Sequence, residues 1–478
     1  MKKILLVGAE AMPFAATGGL GDVMGSLPAA LAALPENDVR VIMPLYGQVS
    51  DTWRAQMKEE AVFTVNLSWR KLYCGIKSLK KDGVTYYFVD NEGYFKRNAL
   101  YGEYDDGERY AYFCMAVMEA LAHLDFYPDI LHAHDWQAAL SVVYLDAIYR
   151  TRPGYGNIRT VFTIHNIEYQ GKYSFAILGD IFSLDQCEAS RMDFGGCINL
   201  MKGAIVSADR VSTVSPRYAE EICTPEYAHG LDPILRAERG KLLGILNGID
   251  YTYYNPAKDK VIPSKFGPRT RERKTANKTA LQASLGLDVR TDAPMIAVIS
   301  RLVAHKGLDI VAEMIWQLLA EEDAQLVVLG CGDKRFEEFF LELESAYPNK
   351  VRALLRYDRD LAKQIYAACD IFLMPSKSEP CGLSQMIASR YGAIPVVRET
   401  GGLYDSIKGY WEKDGRVMGN GFTFANYDRN ELYERTKAAI ALWRNPEKRD
   451  RLIAKIMSTD FSWKQSAQGY DKMYSDLM

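Results

Sequence analysis

Arg301 and Lys306 lie in Ser300-Arg301-Leu302-Val303-Ala304-His305-Lys306-Gly307, which follows an apolar run at 295–299 and opens onto a helical pattern. Two cations this close in sequence suit one anionic ligand, and a departing diphosphate in particular. Glu379 follows a second apolar run, 371–374, within Pro375-Ser376-Lys377-Ser378-Glu379-Pro380-Cys381-Gly382-Leu383. A carboxylate there can touch a sugar, while the Gly382-Leu383 step starts a helix whose N–H groups attract phosphate. Thr400-Gly401-Gly402-Leu403 repeats the arrangement after 394–397, and Gly330-Cys331-Gly332-Asp333 fits the same edge. Glycine-containing turns with paired cations describe a nucleotide-diphosphate site.

The first half carries a different set. Thr17-Gly18-Gly19-Leu20-Gly21-Asp22 stands after the first apolar run and opens onto a helix. It could cradle a phosphate with backbone donors, or be a tight strand-to-helix turn with Asp22 as N-cap. It is neither a full Gly-x-Gly-x-x-Gly nor a Walker loop. His132-Ala133-His134-Asp135-Trp136 ends another apolar run. His-x-His could hold a metal, but no further ligands stand at sensible spacing, so no metal is expected; the reading is a wall-lining strand end with Asp135 bonded into it. Thr163-Ile164-His165-Asn166-Ile167 closes a third run, where His165 and Asn166 could bond sugar hydroxyls or be structural.

The elements that must position these residues alternate from end to end. Strand candidates in the first half are 3–8, 39–43, 84–89, 130–133, 159–164 and 210–214, with helical patterns such as 110–123 and 138–149 between them. After Gly244-Ile245-Leu246-Asn247-Gly248 comes a polar, basic stretch at 258–278. Then the pattern restarts with 295–299, 325–329, 351–355, 371–374, 394–397 and 421–424. Near-continuous apolar strands alternating with helices predict parallel sheets covered on both faces. The expectation is an α/β chain of two doubly wound domains, 1–248 and 249–478, whose last helix, about 463–478, could pack back on the first domain. Ligands of such folds bind beyond the strand C-termini, where every motif above falls.

Composition bounds the rest. The chain has 478 residues, Lys+Arg 58 against Asp+Glu 61, a net charge of -3, and 48% hydrophobic residues. These are ordinary globular values, and roughly 150 residues per domain gives about two to three domains. The near-neutral balance argues against binding driven by nucleic-acid phosphates. Eight cysteines are scattered without a Cys-x-x-Cys pair, as in reduced cytosolic proteins. Ile4-Leu5-Leu6-Val7 after Lys2 and Lys3 imitates a signal peptide but is too short for one, and no run reaches the ~20 apolar residues of a membrane span. A cytoplasmic location is expected.

Together with Leu246-Asn247-Gly248-Ile249-Asp250, these motifs resemble, in order and spacing, the bacterial glycogen synthase and plant starch synthase family over the span from Glu10 to about Trp463. The resemblance implies a GT-B fold, two facing Rossmann-like domains with a cleft between them, closing by hinge motion near Asn247. It implies retaining transfer of glucose from ADP-glucose to the non-reducing end of an α-1,4-glucan, with release of ADP and no cofactor. Arg301 and Lys306 match the pair that stabilises the departing phosphates, and Glu379 the essential carboxylate at the donor glucose. His165, Asn166 and Asn247 match sugar-binding positions. Gly18 and Gly19 match backbone donors to the phosphates, and Tyr357 an aromatic stacked on adenine. Gly382, Leu383, Thr400, Gly401 and Gly402 match phosphate-side turns, and Asp22 and Asp135 acidic residues of the N-terminal wall.

Two positions depart from the family pattern. Ala16 stands where the family has the lysine of Lys-x-Gly-Gly-Leu, and His305 where Gln is common. Loss of one charge-assisted hydrogen bond costs roughly 1.5–3 kcal/mol where it forms, which bears on donor affinity and choice; His305 could restore partial charge near neutral pH. The expected mechanism has the leaving phosphate oxygen take the acceptor's proton on the same face, with Glu379 positioning the sugar. A covalent intermediate would need an opposite-face carboxylate, and none stands out. Competing readings are a degenerate glucan-binding homologue, a transferase using another donor such as UDP-glucose, and a dehydrogenase, for which a clean dinucleotide fingerprint is lacking.

Overall fold

The structure, a computed structural model, describes residues 1–478. The chain folds into two compact units, Met1–Asn247 with Trp463–Met478, and Gly248–Ser462.

In the first unit, Lys2–Val7 (β1) is the central strand. Ile4, Leu6 and Val7 are fully buried, as a strand covered on both faces requires. It pairs in parallel with Asn37–Pro44 (β2) on one side and with Ile130–His134 (β6) on the other. Beyond β2 run Val84–Asp90 (β5), Arg70–Lys81 (β4) and Lys58–Leu67 (β3). Beyond β6 run Arg159–Ile164 (β7), Arg210–Thr213 (β11) and Leu242–Gly244 (β12), giving nine strands. A small separate sheet joins Lys172–Tyr173 (β8), Asp193–Phe194 (β9) and Cys197–Asn199 (β10).

All six strand candidates of this half form, but the sheet is not wholly parallel. β4 runs antiparallel to β5, and β3 antiparallel to β4. This hairpin buries mainly alternate side chains, with Val65 and Leu67 buried while Val62 is 54% exposed. Its apolar residues are therefore diluted by Lys and Glu, unlike those of a doubly covered strand.

The last helix, Trp463–Ser475, belongs to this unit. Asp471 Oδ1 accepts from Lys2 Nζ at 2.5 Å and Asn37 Nδ2 at 2.9 Å. Ser466 Oγ donates to the Leu246 carbonyl at 2.5 Å. Tyr470 and Tyr474 are fully buried.

The second unit has one wholly parallel six-stranded sheet. Met295–Ile299 (β13) is flanked by Gln325–Leu329 (β14) and Ile371–Met374 (β16); Val351–Leu354 (β15) lies beyond β14, and Ile394–Arg398 (β17) and Phe422–Phe424 (β20) beyond β16. Trp411–Lys413 (β18) and Arg416–Met418 (β19) form a hairpin. The basic stretch after residue 258 ends inside helix Lys274–Leu285, and two of its lysines are core residues. Lys274 Nζ donates to the carbonyls of Tyr366 and Tyr391, each at 2.8 Å, and Lys278 Nζ pairs with Asp370 at 2.7 Å. Carbonyl acceptors at Lys274 and the Asp370 carboxylate at Lys278 hold these amines inside, which composition cannot reveal.

Candidate active site

Each sheet reverses its direction of winding once. In the first unit the reversal lies between β1 and β6, in the second between β13 and β16. Loops leaving strand C-termini on either side of such a point diverge and leave a crevice. The motifs sit on these loops or on those of the adjoining strands, except 246–250, which follows β12 at the edge of the first sheet.

In the second unit, the loops after β13 and β16 are tied together at the reversal. Lys306 Nζ donates to Glu379 Oε2 at 2.7 Å, and Ser376 Oγ donates to the same oxygen at 3.0 Å. Glu379 is 7% exposed, so its charge is held by these two donors while Oε1 has no protein donor. The Lys377 amide donates to the His305 carbonyl at 2.9 Å, joining the same two loops through the backbone.

The glycines explain how the loops come so close. A Cβ on Gly307 would stand 2.1 Å from the Pro375 carbonyl oxygen, one on Gly401 2.0 Å from that of Glu379, and one on Gly402 2.1 Å from that of Cys381. Gly330 and Gly332 press in the same way on Ser300 and Leu302. These glycines make room for a neighbouring loop, and Gly401 and Gly402 let the segment that carries Glu379 pack against theirs. Gln385 Nε2 bonds the Gly382 carbonyl at 2.8 Å and Ser406 Oγ at 3.0 Å, fixing that segment to helix Gly401–Ser406. Leu383 is the N-cap of Ser384–Arg390 rather than its first residue, and buried Thr400 is the N-cap of Gly401–Ser406. Arg301 is exposed on the loop that carries Lys306, with no side-chain tie to the pair. Tyr357 stands apart after β15, 81% exposed, its ring open for stacking.

In the first unit, Glu10 organises the loop after β1, a residue that the motif reading passed over. Its Oε2 accepts from the Thr17 amide at 2.7 Å and the Gly18 amide at 3.3 Å; its Oε1 accepts from Thr17 Oγ1 and Tyr101 Oη, both at 2.7 Å. An acidic residue just past the first apolar run was the one sequence signal for Glu10; its burial and its partner Tyr101, from a distant loop, had none. The N-cap of helix Gly19–Ala32 is Gly18, and Asp22 lies within the first turn, not at the cap. A Cβ on Gly18 or Gly19 would meet nothing within 4 Å. These two glycines, unlike those of the second unit, face open space a ligand can enter.

The ends of β6 and β7 form the second cluster. Asp135 Oδ1 accepts from the His165 amide at 2.7 Å, and Asp135 itself has a φ of 58°. Such a non-glycine conformation costs of order 1–3 kcal/mol and persists only where its surroundings enforce it. Burial pushes the Asp135 carboxyl up to about 7. His134 Nδ1 lies 2.9 Å from His165 Nε2. Both ring nitrogens of His132 are engaged, by the Tyr474 hydroxyl at 2.7 Å and Thr163 Oγ1 at 2.5 Å, a structural arrangement. Asn166 is half-buried and caps the Glu168 amide at 3.0 Å. Asn247, 5% exposed, is joined to neither cluster, and its Oδ1 is buried without a partner.

The starch synthase catalytic domain model matches residues 3–237, and the glycosyl transferases group 1 model matches 286–457. The chain is 47% identical over 478 residues to a glycogen synthase of Geobacillus thermodenitrificans, covering 100% of this chain and 98% of that one. The chain belongs to the glycogen synthase family. It is likewise 43% identical over 477 residues to a glycogen synthase of Bacillus subtilis, covering 99% of this chain and 98% of that one. Among solved structures it is similar to the catalytic domain of starch synthase IV from Arabidopsis thaliana bound to ADP and acarbose, with a TM-score of 0.90, 35% identity, and 100% and 99% of the two chains covered. A sucrose-phosphate synthase from Thermosynechococcus elongatus, 16% identical with a TM-score of 0.62 over 100% of this chain and 99% of that one, shares the fold. The fold is GT-B and the protein is a glycosyltransferase. No helix is long and apolar enough to cross a membrane.

Proposed function

We propose that the protein transfers glucose, with retention, from ADP-glucose to the non-reducing end of an α-1,4-glucan in the cytoplasm and releases ADP. The observation that carries this is the Lys306–Glu379 pair at the winding reversal of the second sheet. It sets a cation for the leaving phosphates beside a carboxylate whose Oε1 can accept from a sugar hydroxyl. Arg301 on the same loop adds a second cation, and Tyr357 offers a face for adenine. Leu383, Gly382, Thr400, Gly401 and Gly402 shape the phosphate-side turns. In the first unit, Gly18 and Gly19 present open backbone, and Asp22, Asp135, His165, Asn166 and Asn247 serve the sugar and acceptor. Met1–Asn247 with Trp463–Met478 act as the acceptor-side domain and Gly248–Ser462 as the nucleotide-sugar domain.

Preorganised donors aimed at developing charge are worth about 10²–10³ in kcat each. As the bond between the anomeric carbon and the phosphate oxygen breaks, the acceptor hydroxyl oxygen bonds to that carbon on the same face. Arg301 and Lys306 hold the charge passing to ADP, whose phosphate oxygen takes the proton that the hydroxyl loses. Glu379 holds the sugar and favours its cationic character. The similar starch synthase IV catalytic domain is bound to ADP and acarbose, which supports a nucleotide donor and a glucan acceptor. Transfer of radiolabelled glucose to glycogen, from ADP-glucose and UDP-glucose side by side, tests the reading. Transfer chiefly from ADP-glucose is expected; transfer chiefly from UDP-glucose overturns the donor, and none from either overturns the activity.

A further inference from the structure

The imidazole of His134 is wholly buried, with Nδ1 2.9 Å from His165 Nε2 and Nε2 without any partner. Burial pushes both imidazoles down, His165 to about 3, so each carries a single proton at neutral pH. Only two arrangements then satisfy the bond between them. If His165 donated, His134 would carry its own proton on Nε2, a buried N–H with no acceptor. If His134 donates, its Nε2 is a bare lone pair. Buried orphan N–H groups are the rarer defect, so the second arrangement is favoured. The proton of His165 then resides on Nδ1, because the bond at one ring nitrogen decides the state of the other. His165 keeps some exposure, which His134 lacks.

We propose that His134 is a positioning residue: by donating its Nδ1–H to His165 Nε2, it locks His165 as the Nδ1–H tautomer. His165 thereby offers a sugar oxygen a hydrogen-bond donor rather than an acceptor. The sugar half of this statement rests on the function proposed above; the tautomer half does not. His132 takes no part, since Tyr474 and Thr163 occupy its two nitrogens.

Long-range proton–nitrogen correlation spectra of the full chain, labelled with ¹⁵N-histidine, test the tautomer directly. The chain has only six histidines, and His165→Gln identifies the signal by its loss. Protonated Nδ1 and bare Nε2 at His165 are expected near pH 7.5; protonated Nε2 overturns the proposal. His134→Leu removes the donor and should release His165 toward the other tautomer, with kcat/KM down about tenfold, the size of one neutral hydrogen bond. His134→Asn puts an amide N–H near the place of Nδ1–H and should restore the tautomer and most of the loss. An unchanged His165 spectrum in His134→Leu also overturns the proposal. Should that variant not fold, the wild-type and His134→Asn spectra still decide. A wrong sugar donor leaves the spectra as expected and alters only the kinetics.

Discussion

Lys306 Nζ and Ser376 Oγ converge on one oxygen of Glu379, Oε2, at 2.7 and 3.0 Å, and leave Oε1 to whatever binds. The carboxylate is thus held in place by one side, and in the proposed reaction it is the other that meets the sugar. Glu379→Gln keeps the shape but weakens both the tie to Lys306 and the charge. Its kcat should fall at least about 100-fold, the size of one preorganised electrostatic contact, while ADP affinity by calorimetry changes little. Full activity in Glu379→Gln would remove the carboxylate from the mechanism.

The glycines separate into two kinds that substitution should distinguish. Gly402→Ala drives a methyl to 2.1 Å from the Cys381 carbonyl oxygen, so the segment carrying Glu379 must shift. Stability should drop by about 1–3 kcal/mol, as for other overpacked sites, and activity should be lost with it. Gly19→Ala meets nothing and sits at a helix start. It should leave the melting temperature unchanged or slightly raised, because alanine is the better helix former, yet raise the KM for the nucleotide sugar. A stable Gly19→Ala enzyme with an unaltered KM would take that glycine out of the donor site.

Protons taken up on unfolding give the first unit a marked pH response. His132, His134 and His165 are held neutral by burial, whereas unfolded imidazoles protonate below 6.5. Their contribution to stability is present above 6.5 and is lost as pH falls, for His165 down to about 3. Asp135 acts in the opposite sense: folded it keeps its proton up to about 7, unfolded only to 3.8, so its contribution is full in acid and is lost as pH rises through that window. One proton corresponds to about 1.4 kcal/mol per pH unit. Denaturation measured at pH 7, 6 and 5 should show stability falling with acid, and Asp135→Asn should steepen the fall. A shallower fall in Asp135→Asn would contradict the protonated carboxyl.

Ala16 is exposed at the entrance to the glycine turn. Ala16→Lys supplies the cation found there in the family pattern and should lower the KM for ADP-glucose several-fold, with less effect at high salt because screening weakens exposed charges. No change in KM at low salt would mean that the donor phosphates lie elsewhere.

Reading the sequence recovered what depends on local pattern. All twelve strand candidates form, because strands such as Ile371–Met374 are short apolar runs between turn residues. The long hairpin of β3 and β4 escaped notice because one face is solvated, which spreads its apolar residues among charges such as Glu59 and Glu60. In the site, Glu379 and Lys306 were legible from their places after strands, but their mutual bond was not, since 73 residues separate them. Spacing marked Gly401 and Gly402 as turn residues, but only their three-dimensional neighbours disclose that a Cβ at either would strike the Glu379 loop. The role of Glu10 needed Tyr101, which no spacing rule connects to it.

Because Trp463–Ser475 packs in the unit that begins with β1, that unit cannot complete its contacts until the chain through this helix has been made. Domains usually close as they leave the ribosome, amino-terminal first. Here Lys2 and Asn37 must wait for Asp471, and His132 for Tyr474, while Gly248–Ser462 has every strand it needs beforehand. Loss of residues 463–475 would therefore strip contacts from the earlier-made unit while leaving the later-made one its strands.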